Sequence, residues 1–526
     1  MKNGIVLATK NNRTHHYLHC AMRTLLLLFA LHTTPLFLVA QPLTTPEYSR
    51  GRIISSTQSD LNLCSISEWK NYKLVVRSNY KGDATRYTVE VFDHENNRAE
   101  FSTHKFTIPE SDRLSFVEVV SLGDVTYLLV SKFSASEKAT ILFAYPVTEK
   151  GILEDERKEI DRLPAYNAGN TGRFRVNVSP DHQFLVVLRE NIYDKAKNET
   201  IALHRYDTDL NQVWTKTHAF SILSKNQTVN IPFVNNKGDL YLIKKDRDKE
   251  TFKYYILAAE AKGTIISEKP LQLGNIFISD IRAALLQNGN LGVAGFYSTQ
   301  GYDSYEGSFY FAFDSKTGVA VKHNESLNSE ILTLFMAKKD ASKSGTALFG
   351  FNLHHLIAQE NGGMYLIAEK TQQVTEKTAE RYTYEDLLIL NYDEQGNIKW
   401  GKSIRKKQET WGDDGKWSSY NYFLYNDTLN ILFNKVIFDD QLTKTGKKKK
   451  ADEFGESTGY GTNWARVFPN GQIQITPLTG MHQGTVPLTL NPEILYSDTT
   501  GKVFVVTEGH LKQHHLLLGM KFYNRK

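Results

Sequence analysis

The feature that most constrains the fold is a turn that recurs along the chain just before an apolar run. It appears in "WKNYKLVV", "SLGDVTYLLV", "SPDHQFLVVL", "NNKGDLYLI", "QNGNLGVAG", "ENGGMYLIA", "YNDTLNILF" and "TTGKVFVVT". These turns lie roughly 50 to 75 residues apart, with other short apolar runs between them. Four short strands per unit of about 40–50 residues are typical of β-propeller blades, and longer units carry insertions. The pattern predicts an all-β fold, a β-propeller of four-stranded antiparallel blades. We expect about eight blades, with seven as the alternative.

A second turn follows the third apolar run of several units, and two copies of it end in tryptophan. "YDTDLNQVW" runs from Tyr206 to Trp214, and "YDEQGNIKW" runs from Tyr392 to Trp400. Asp, Asn and Gly satisfy or permit the backbone of such turns. The two stretches resemble the third-to-fourth strand turn of quinoprotein-like and WD-like propeller blades. That resemblance implies that both tryptophans pack between neighbouring blades.

The N-terminal segment has the pattern of a secretory signal. "MRTLLLLFALHTTPLFLVAQ" begins at Met22 with an arginine, continues as an apolar run and reaches the small residue Ala40. We therefore expect a signal segment at 1–40, with Met22 as an alternative start, and export to a periplasm or to the extracellular space. A lead-in at 41–64 precedes the propeller at 65–526. Within that lead-in, "GRIISST" at 51–57 is expected to supply a strand that closes the last blade.

Removal of the signal changes the charge of the chain. The four basic residues of 1–40 have no acidic counterpart there, so their loss lowers the formal net charge from +5 to +1. A nearly neutral chain gives no support for nucleic-acid binding. Only Cys64 remains, which excludes an internal disulfide and a cysteine metal site. No later apolar stretch is long enough for a transmembrane helix. An export signal without disulfides favours a bacterial protein.

The predicted insertions cluster on one face of the propeller. Strands of a meander alternate in direction, so second-to-third loops and blade-to-blade connections share one face, here called the long-loop face. Per-repeat insertions often mark a binding face. We therefore expect a protein or polysaccharide partner to dock on the long-loop face of blades five to seven. The long loops are predicted at 298–306, 326–350, 370–384, 406–419 and 439–462.

Aromatic and acidic residues of these loops are the candidate binding residues. Aromatic rings can stack on an apolar face of a sugar or peptide, while carboxylates accept hydroxyl or amide protons. The alternative is that the rings attach the long loops to the propeller. The candidates are Tyr302, Tyr305, Trp411, Asp413, Asp414, Trp417 and Tyr460.

No residue is assigned as catalytic or as a metal ligand. The chain contains no H-E-x-x-H, P-loop, G-x-S-x-G or G-x-G-x-x-G motif. Asp207, Asp209 and Asn211 occupy the first, third and fifth positions of a calcium loop. Gln212 and His218, however, stand where that loop needs Gly and Glu. Turn capping accounts for these residues, and we expect no cofactor.

His354 and His355 are adjacent, and neighbours on a regular strand point to opposite faces, so the pair is not expected to bind one ion. We predict an exported binding or scaffold module. One alternative is a polysaccharide lyase or hydrolase, which a carboxylate pair or a His/Tyr/Arg group at the mouth of the central channel would favour. Another is a structural subunit of a cell-envelope complex, which an exposed apolar patch would favour.

Overall fold

In the computed structural model, the residues described are 46–55, 61–81, 84–93, 95–96, 98–106, 113–148, 151–152, 155–192, 194–223, 229–248, 251–274, 276–301, 303–375, 380–411, 415, 417–436, 460–478, 489–498, 500–508 and 514–522. These residues form eight four-stranded antiparallel blades arranged in a ring, which is a β-propeller. The predicted fold class and the count of eight are confirmed. No helix among the described residues is long and apolar enough to cross a membrane.

The first four blades follow one another along the chain with little interruption. Blade one contains β3 (Leu61–Trp69), β4 (Tyr72–Lys81), β5 (Ala84–Phe92) and β6 (Arg98–Phe106). Blade two contains β7 (Arg113–Leu122), β8 (Val125–Ser134), β9 (Ala139–Thr148) and β11 (Lys158–Pro164), with β10 (Gly151–Ile152) also paired to β9. Blade three contains β12 (Arg173–Val178), β13 (Leu185–Glu190), β14 (Asn198–Tyr206) and β15 (Gln212–Leu223). Blade four contains β16 (Val229–Val234), β17 (Leu240–Asp248), β18 (Thr251–Ala259) and β19 (Ile265–Pro270).

The last four blades carry the additional elements. Blade five contains β20 (Phe277–Leu285), β21 (Leu291–Ser298), β23 (Gly307–Asp314) and β24 (Gly318–Ser326). Blade six contains β26 (Phe351–Ala358), β27 (Met364–Thr375), β28 (Glu380–Tyr392) and β29 (Ile398–Ile404), with β30 (Gln408–Trp411) paired to β28. Blade seven contains β31 (Asn421–Tyr425), β32 (Thr428–Val436), β33 (Tyr460–Val467) and β34 (Ile473–Leu478). Between blades five and six lie β22 (Ser304–Tyr305), which pairs with β25 (Leu348–Phe349), and the short helices α1 (Ser329–Leu332) and α2 (Lys338–Ala341).

Blade eight is completed by the N-terminal part of the described chain. It contains β35 (Thr489–Ser497), β36 (Lys502–Glu508), β37 (His514–Lys521) and the closing strand β1 (Glu47–Arg50), with β2 (Ile54–Ser55) also paired to β37. The prediction put the closing strand at 51–57, but the longer pairing lies just before it. The regular pairing is interrupted at Gly51, where the chain approaches blade one so closely that a Cβ would lie 1.8 Å from the carbonyl oxygen of Asn96. Pairing with β37 resumes at Ile54.

The turns that define the repeat have the backbone conformation that their residues favour. Seven of the eight marker residues of the first-to-second strand turn have a positive φ, the left-handed region that Gly, Asn and Asp tolerate best. They are Gly123, His182, Gly238, Gly289, Gly362, Asp427 and Gly501. In the first blade the positive φ falls one residue earlier, at Lys70.

The repeated "YD…W" stretch joins neighbouring blades, as the resemblance implied. The indole Nε1 of Trp214 in blade three donates to the carbonyl oxygen of Ala261 in blade four at 2.8 Å. The indole Nε1 of Trp400 in blade six donates in the same way to the carbonyl oxygen of Pro469 in blade seven at 3.0 Å. Each indole therefore binds the third-to-fourth strand turn of the next blade.

The blades depend on one another for burial. The central strands are apolar almost throughout, and β21 is buried at all eight positions, because each blade face packs against the next blade. A fourth strand such as β15 is mostly exposed on the outer rim. First strands of neighbouring blades contact each other around the central channel, as β3 with β7 and β35 with β3.

Ring closure between blades one and eight combines an apolar seam with buried charges. Phe92 packs with Phe504 and Leu517 across the junction. Beside them, Arg77 Nη1 on β4 lies 2.8 Å from Glu508 Oε1 on β36, and both side chains are almost fully buried. His515 Nε2 on β37 lies 3.1 Å from Glu90 Oε2 on β5. The two ends of the chain are therefore held together by paired charges as well as by strand pairing.

Breaking this closure should cost much more stability than breaking a surface ion pair. We expect Glu508→Gln to lower the free energy of unfolding by about 3 kcal/mol, because the buried Arg77 loses its closer acidic partner and keeps Glu90, whose Oε2 lies 3.4 Å from Arg77 Nε. The matched control is Asp340→Asn, which removes the exposed Lys343–Asp340 pair and should cost less than about 1 kcal/mol. Urea unfolding of both variants measures the difference. Equal losses would contradict a special role of the closure pair.

Candidate functional site

The insertion between blades five and six builds one wall of a candidate site on the long-loop face. Asn328 caps α1, because its side chain accepts the N–H of Ile331, and Ile331 and Leu332 are buried. These two residues pack with Tyr305 and Phe351 in one apolar cluster. The short helix α1 thus packs on the apolar core of blades five and six.

Blade six, with the long strands β27 and β28, forms the second wall of the site. Residues 370–384 were predicted as a long loop, but the structure continues β27 to Thr375 and starts β28 at Glu380. This stretch contains four Thr, one Val and two Tyr, which suit a strand, although its charged residues resemble those of a loop. Part of the predicted loop at 406–419 also forms a strand, since β30 pairs with 381–384 of β28. We call these three paired segments the arm.

A groove of about 370 Å³ lies between the insertion and blade six. Arg405 helps to hold its two walls together, because it pairs with Asp386 at 2.6 Å and also donates to the carbonyl oxygen of Leu334. Phe349, at the groove, is 57% exposed. The apolar wall includes Phe335, Met336, Leu348 and Phe349, and the charged wall includes Lys370, Glu385, Asp386, Arg405 and Lys407.

The three predicted binding residues whose side chains the structure describes differ in exposure. Trp411 on β30 is 47% exposed, with the Arg381 guanidinium 5.8 Å from its ring centre. Tyr305 is only 4% exposed and stacks on Phe296 with ring centres 4.0 Å apart. Trp417 is 8% exposed.

The burial of Tyr305 and Trp417 supports the alternative that rings attach the loops to the propeller. Tyr302, Asp413 and Asp414 lie outside the described residues, as does most of the predicted loop at 439–462. Tyr460 begins β33, and its side chain is likewise outside the description. The binding roles of these residues and of Trp411 stay predictions.

A second group of polar residues meets at the first strands of blades five to seven. In β26 the pairing with β27 shifts between Leu353 and His355, which is a β-bulge at His354. The bulge brings both histidines against the same ring: His354 stacks on Tyr420 with centres 5.7 Å apart, and His355 meets Tyr420 edge-on at 5.7 Å. The expectation that the two histidines point to opposite faces was therefore wrong, because it assumed a regular strand.

An arginine from blade five completes this group. Arg282 Nε on β20 donates to the carbonyl oxygen of His354 at 2.9 Å. A similar bulge in β20 precedes Asp280, whose carboxylate oxygens lie 3.3 and 3.4 Å from Arg282 Nη1. Gly295 permits this bulge, since a Cβ there would lie 2.0 Å from the Asp280 carbonyl oxygen. We call Arg282, His354, His355, Tyr420 and Tyr422 the channel cluster.

Buried charges lie directly behind the channel cluster. Glu369, whose side chain is fully buried, forms an ion pair with Lys406 and accepts a hydrogen bond from Ser419 Oγ at 2.6 Å. Burial raises the pKa of Glu369 and lowers the pKa of Lys406, and the attraction between the two groups opposes both shifts. His354 Nδ1 lies 3.6 Å from Glu369 Oε2. The pair fixes one side of the cluster without adding net charge.

Both histidines are held in the neutral form. Burial, with the nearby positive charge of Arg282 and Lys406, lowers the pKa of His354 to about 4. Burial, with His354 and Arg282, lowers the pKa of His355 to about 3. Burial and the Glu369 carboxylate raise the pKa of Tyr420 well above its usual value. The two histidines and Tyr420 are therefore neutral donors and acceptors around neutral pH, beside the positively charged Arg282.

A cavity of about 410 Å³ opens beside the cluster, between the first strands of blades six, seven and eight. His355 meets the ring of Tyr422 with centres 4.5 Å apart. The lining residues are His355, Tyr420, Asn421, Tyr422, Phe423, Leu424, Leu495 and Ser497. The sequence did not predict this site, because its residues come from strands about 70 residues apart. The local signals are the adjacent His354 and His355 and the stretch Tyr420-Asn421-Tyr422.

The eight blades of the chain itself place the molecule in the class of β-propellers. No protein-family model matches the chain, and no curated protein sequence matches it. The β-propeller domain of the Trilobed protease from Pyrococcus furiosus is similar, with 9% identity and a TM-score of 0.36, over 81% of this chain and 96% of that one.

Two other solved structures cover more of the chain. The polysaccharide lyase Uly1 is 11% identical with a TM-score of 0.39, over 91% of this chain and 100% of that one. The WD40 domain of SCAP from fission yeast is 7% identical with a TM-score of 0.39, over 91% of this chain and 98% of that one.

The neutral histidines make stability depend on pH. Below the unfolded-state pKa of about 6.5 the unfolded chain takes up protons that folded His354 and His355 do not, so stability falls as pH drops from about 6.5 towards 4. Each histidine contributes at most about 1.4 kcal/mol per pH unit. We expect His355→Gln to make this fall less steep, with no change in slope above about pH 7. Urea unfolding at a series of pH values tests this, and parallel curves for the variant and the parent would refute it.

Proposed function

We propose that this protein is an exported binding or scaffold module whose protein or polysaccharide partner docks on the long-loop face of blades five to seven. The observation that carries the proposal is the groove between the insertion and blade six. It combines an apolar wall with a charged wall, a combination typical of recognition sites. Export to a periplasm or to the extracellular space is part of the same proposal and rests on the signal pattern of 1–40.

The groove can give both affinity and orientation. Phe335, Met336 and Phe349 offer apolar surface that a partner's side chain would cover. On the other wall Lys370 pairs with Glu385 at 2.7 Å, and Lys407 is exposed at the edge. These charges would set the partner's orientation more than its affinity.

The channel cluster supports binding better than catalysis. A His/Tyr/Arg group near the channel is the feature that would favour an enzyme, and Arg282, His354, His355 and Tyr420 do meet there. Efficient proton transfer near neutral pH needs groups with a pKa close to that pH. The pKa values of both histidines lie far below neutrality, and that of Tyr420 lies far above it.

A structural subunit of an envelope complex has less support. It would need one broad exposed apolar patch. The large apolar residues exposed among the described part of the chain are instead spread from blade two to blade seven, as Val125, Ile231 and Ile475 illustrate. Their spacing is that of single surface residues, which need no partner.

A groove variant tests the proposal. The parent at 41–526 is screened by thermal shift against envelope polysaccharides and peptides, together with Phe349→Ser and the control Ile475→Ser. Ile475 is also an exposed apolar residue, but it lies on the outer strand β34. We expect a stabilising ligand whose affinity falls about tenfold in Phe349→Ser and is retained in the control. Equal affinity in both variants would place the site elsewhere, and absence of any ligand would contradict a binding module.

A further inference from the structure

The channel cavity is a second concave site, distinct from the groove on the long-loop face. At about 410 Å³ it falls within the range of small-molecule sites, about 300 to 1,000 Å³. Its walls come from β26, β31 and β35, the first strands of three successive blades. First strands are held on both sides by neighbouring blades, so the cavity is built on a rigid part of the propeller.

The lining carries no formal charge. None of its eight residues is Asp, Glu, Lys or Arg, and His355 is neutral around pH 7 because burial lowers its pKa to about 3. The charges beside the cavity form ion pairs of their own, Glu369 with Lys406 and Arg282 with Asp280. A carboxylate, phosphate or ammonium group that entered the cavity would lose its hydration without gaining an ion partner. The chemistry of the walls thus disfavours a charged ligand.

The lining is nevertheless too polar for a purely apolar ligand. Tyr420 is buried, and its hydroxyl has no hydrogen-bond partner in the described part of the chain. Neither the His355 ring nor the Tyr422 hydroxyl makes a side-chain hydrogen bond to another described residue, and Ser497 is exposed at the edge. An apolar ligand would bury these groups without partners, which is costly.

Aromatic faces stand beside these polar groups. The ring centre of His355 lies 5.7 Å from that of Tyr420 and 4.5 Å from that of Tyr422. Phe423 and Leu424 continue the apolar part of the wall. A ligand ring with C–H groups on its face and hydroxyls at its edge fits both the aromatic and the polar groups of this wall. Its face stacks on aromatic rings, and its hydroxyls donate and accept hydrogen bonds.

We propose that the channel cavity binds an uncharged sugar residue of a polysaccharide or oligosaccharide. His355, Tyr420, Tyr422 and Ser497 supply the hydrogen bonds, and the Tyr422 ring supplies the stacking face. This site is independent of the groove, so the docking function of the long-loop face does not depend on it.

Ligand-detected NMR and calorimetry on the protein at 41–526 test this assignment. The probes are cellohexaose, xylohexaose and mannohexaose, with hexagalacturonate as the charged comparison. Tyr422→Ala removes the stacking ring and should lower affinity about tenfold. Tyr420→Phe removes only the hydroxyl and should lower affinity about fivefold. Because that hydroxyl has no partner in the free protein, its removal should not lower the melting temperature.

The matched control is Tyr48→Phe, which removes another buried hydroxyl without a partner, in β1 of blade eight and outside the cavity. We expect the control to bind like the parent. The proposal is overturned if no neutral hexasaccharide binds saturably up to about 10 mM, if hexagalacturonate binds more tightly than all three, or if Tyr420→Phe and Tyr48→Phe bind alike. Should Tyr422→Ala fail to fold, the comparison of the two phenylalanine variants decides. Groove variants are not part of this test, so its failure leaves docking on the long-loop face untouched.

Discussion

Mutual burial of neighbouring blades is the constraint on which the rest of this structure depends. A central strand such as β21 is buried on both faces, so no blade can bury its apolar surface without two neighbours. The ring must therefore close, and it does so where β1 pairs with β37 beside the Arg77–Glu508 ion pair. That pair joins residues 431 positions apart in the chain. The pairing with β1 also covers the edge of β37, which would otherwise be free to pair with another chain.

The same packing explains where the polar chemistry is found. In five blades the second strand carries a buried charged or amide side chain at the fifth to seventh position. These residues are Arg77, Lys244, Asp246, Glu369, Asn434 and Glu508. Each has a partner nearby, as Lys244 has in Glu199 at 2.6 Å. Below the long-loop face the blade junctions are thus polar and fixed, and the channel cluster, with Glu369 behind it, is one part of this layer.

Prediction from the sequence succeeded where the signal was local and repeated. The turn markers fell on residues of positive φ, and Trp214 and Trp400 bind the next blade as the resemblance implied. It failed where one feature departed from the repeat. The stretch at 370–384 has charged residues typical of a loop and β-branched residues typical of a strand. It forms strands in the structure, where 381–384 pair with β30. Of the aromatic residues predicted to bind, Tyr305 and Trp417 are buried and Trp411 is exposed, since exposure depends on which residues pack above a loop.

By itself the sequence determined the fold class, a number of blades of seven or eight, and the position of most turns. It could do so because a turn needs only the φ preference of one or two residues and a strand needs only its own pattern of burial. The tertiary structure alone decided which strand closes the ring, how the arm forms and which side chains meet at the channel. Those outcomes depend on contacts between distant blades and on a β-bulge at His354 that turns two neighbours towards one ring. Neither leaves a mark in the local sequence.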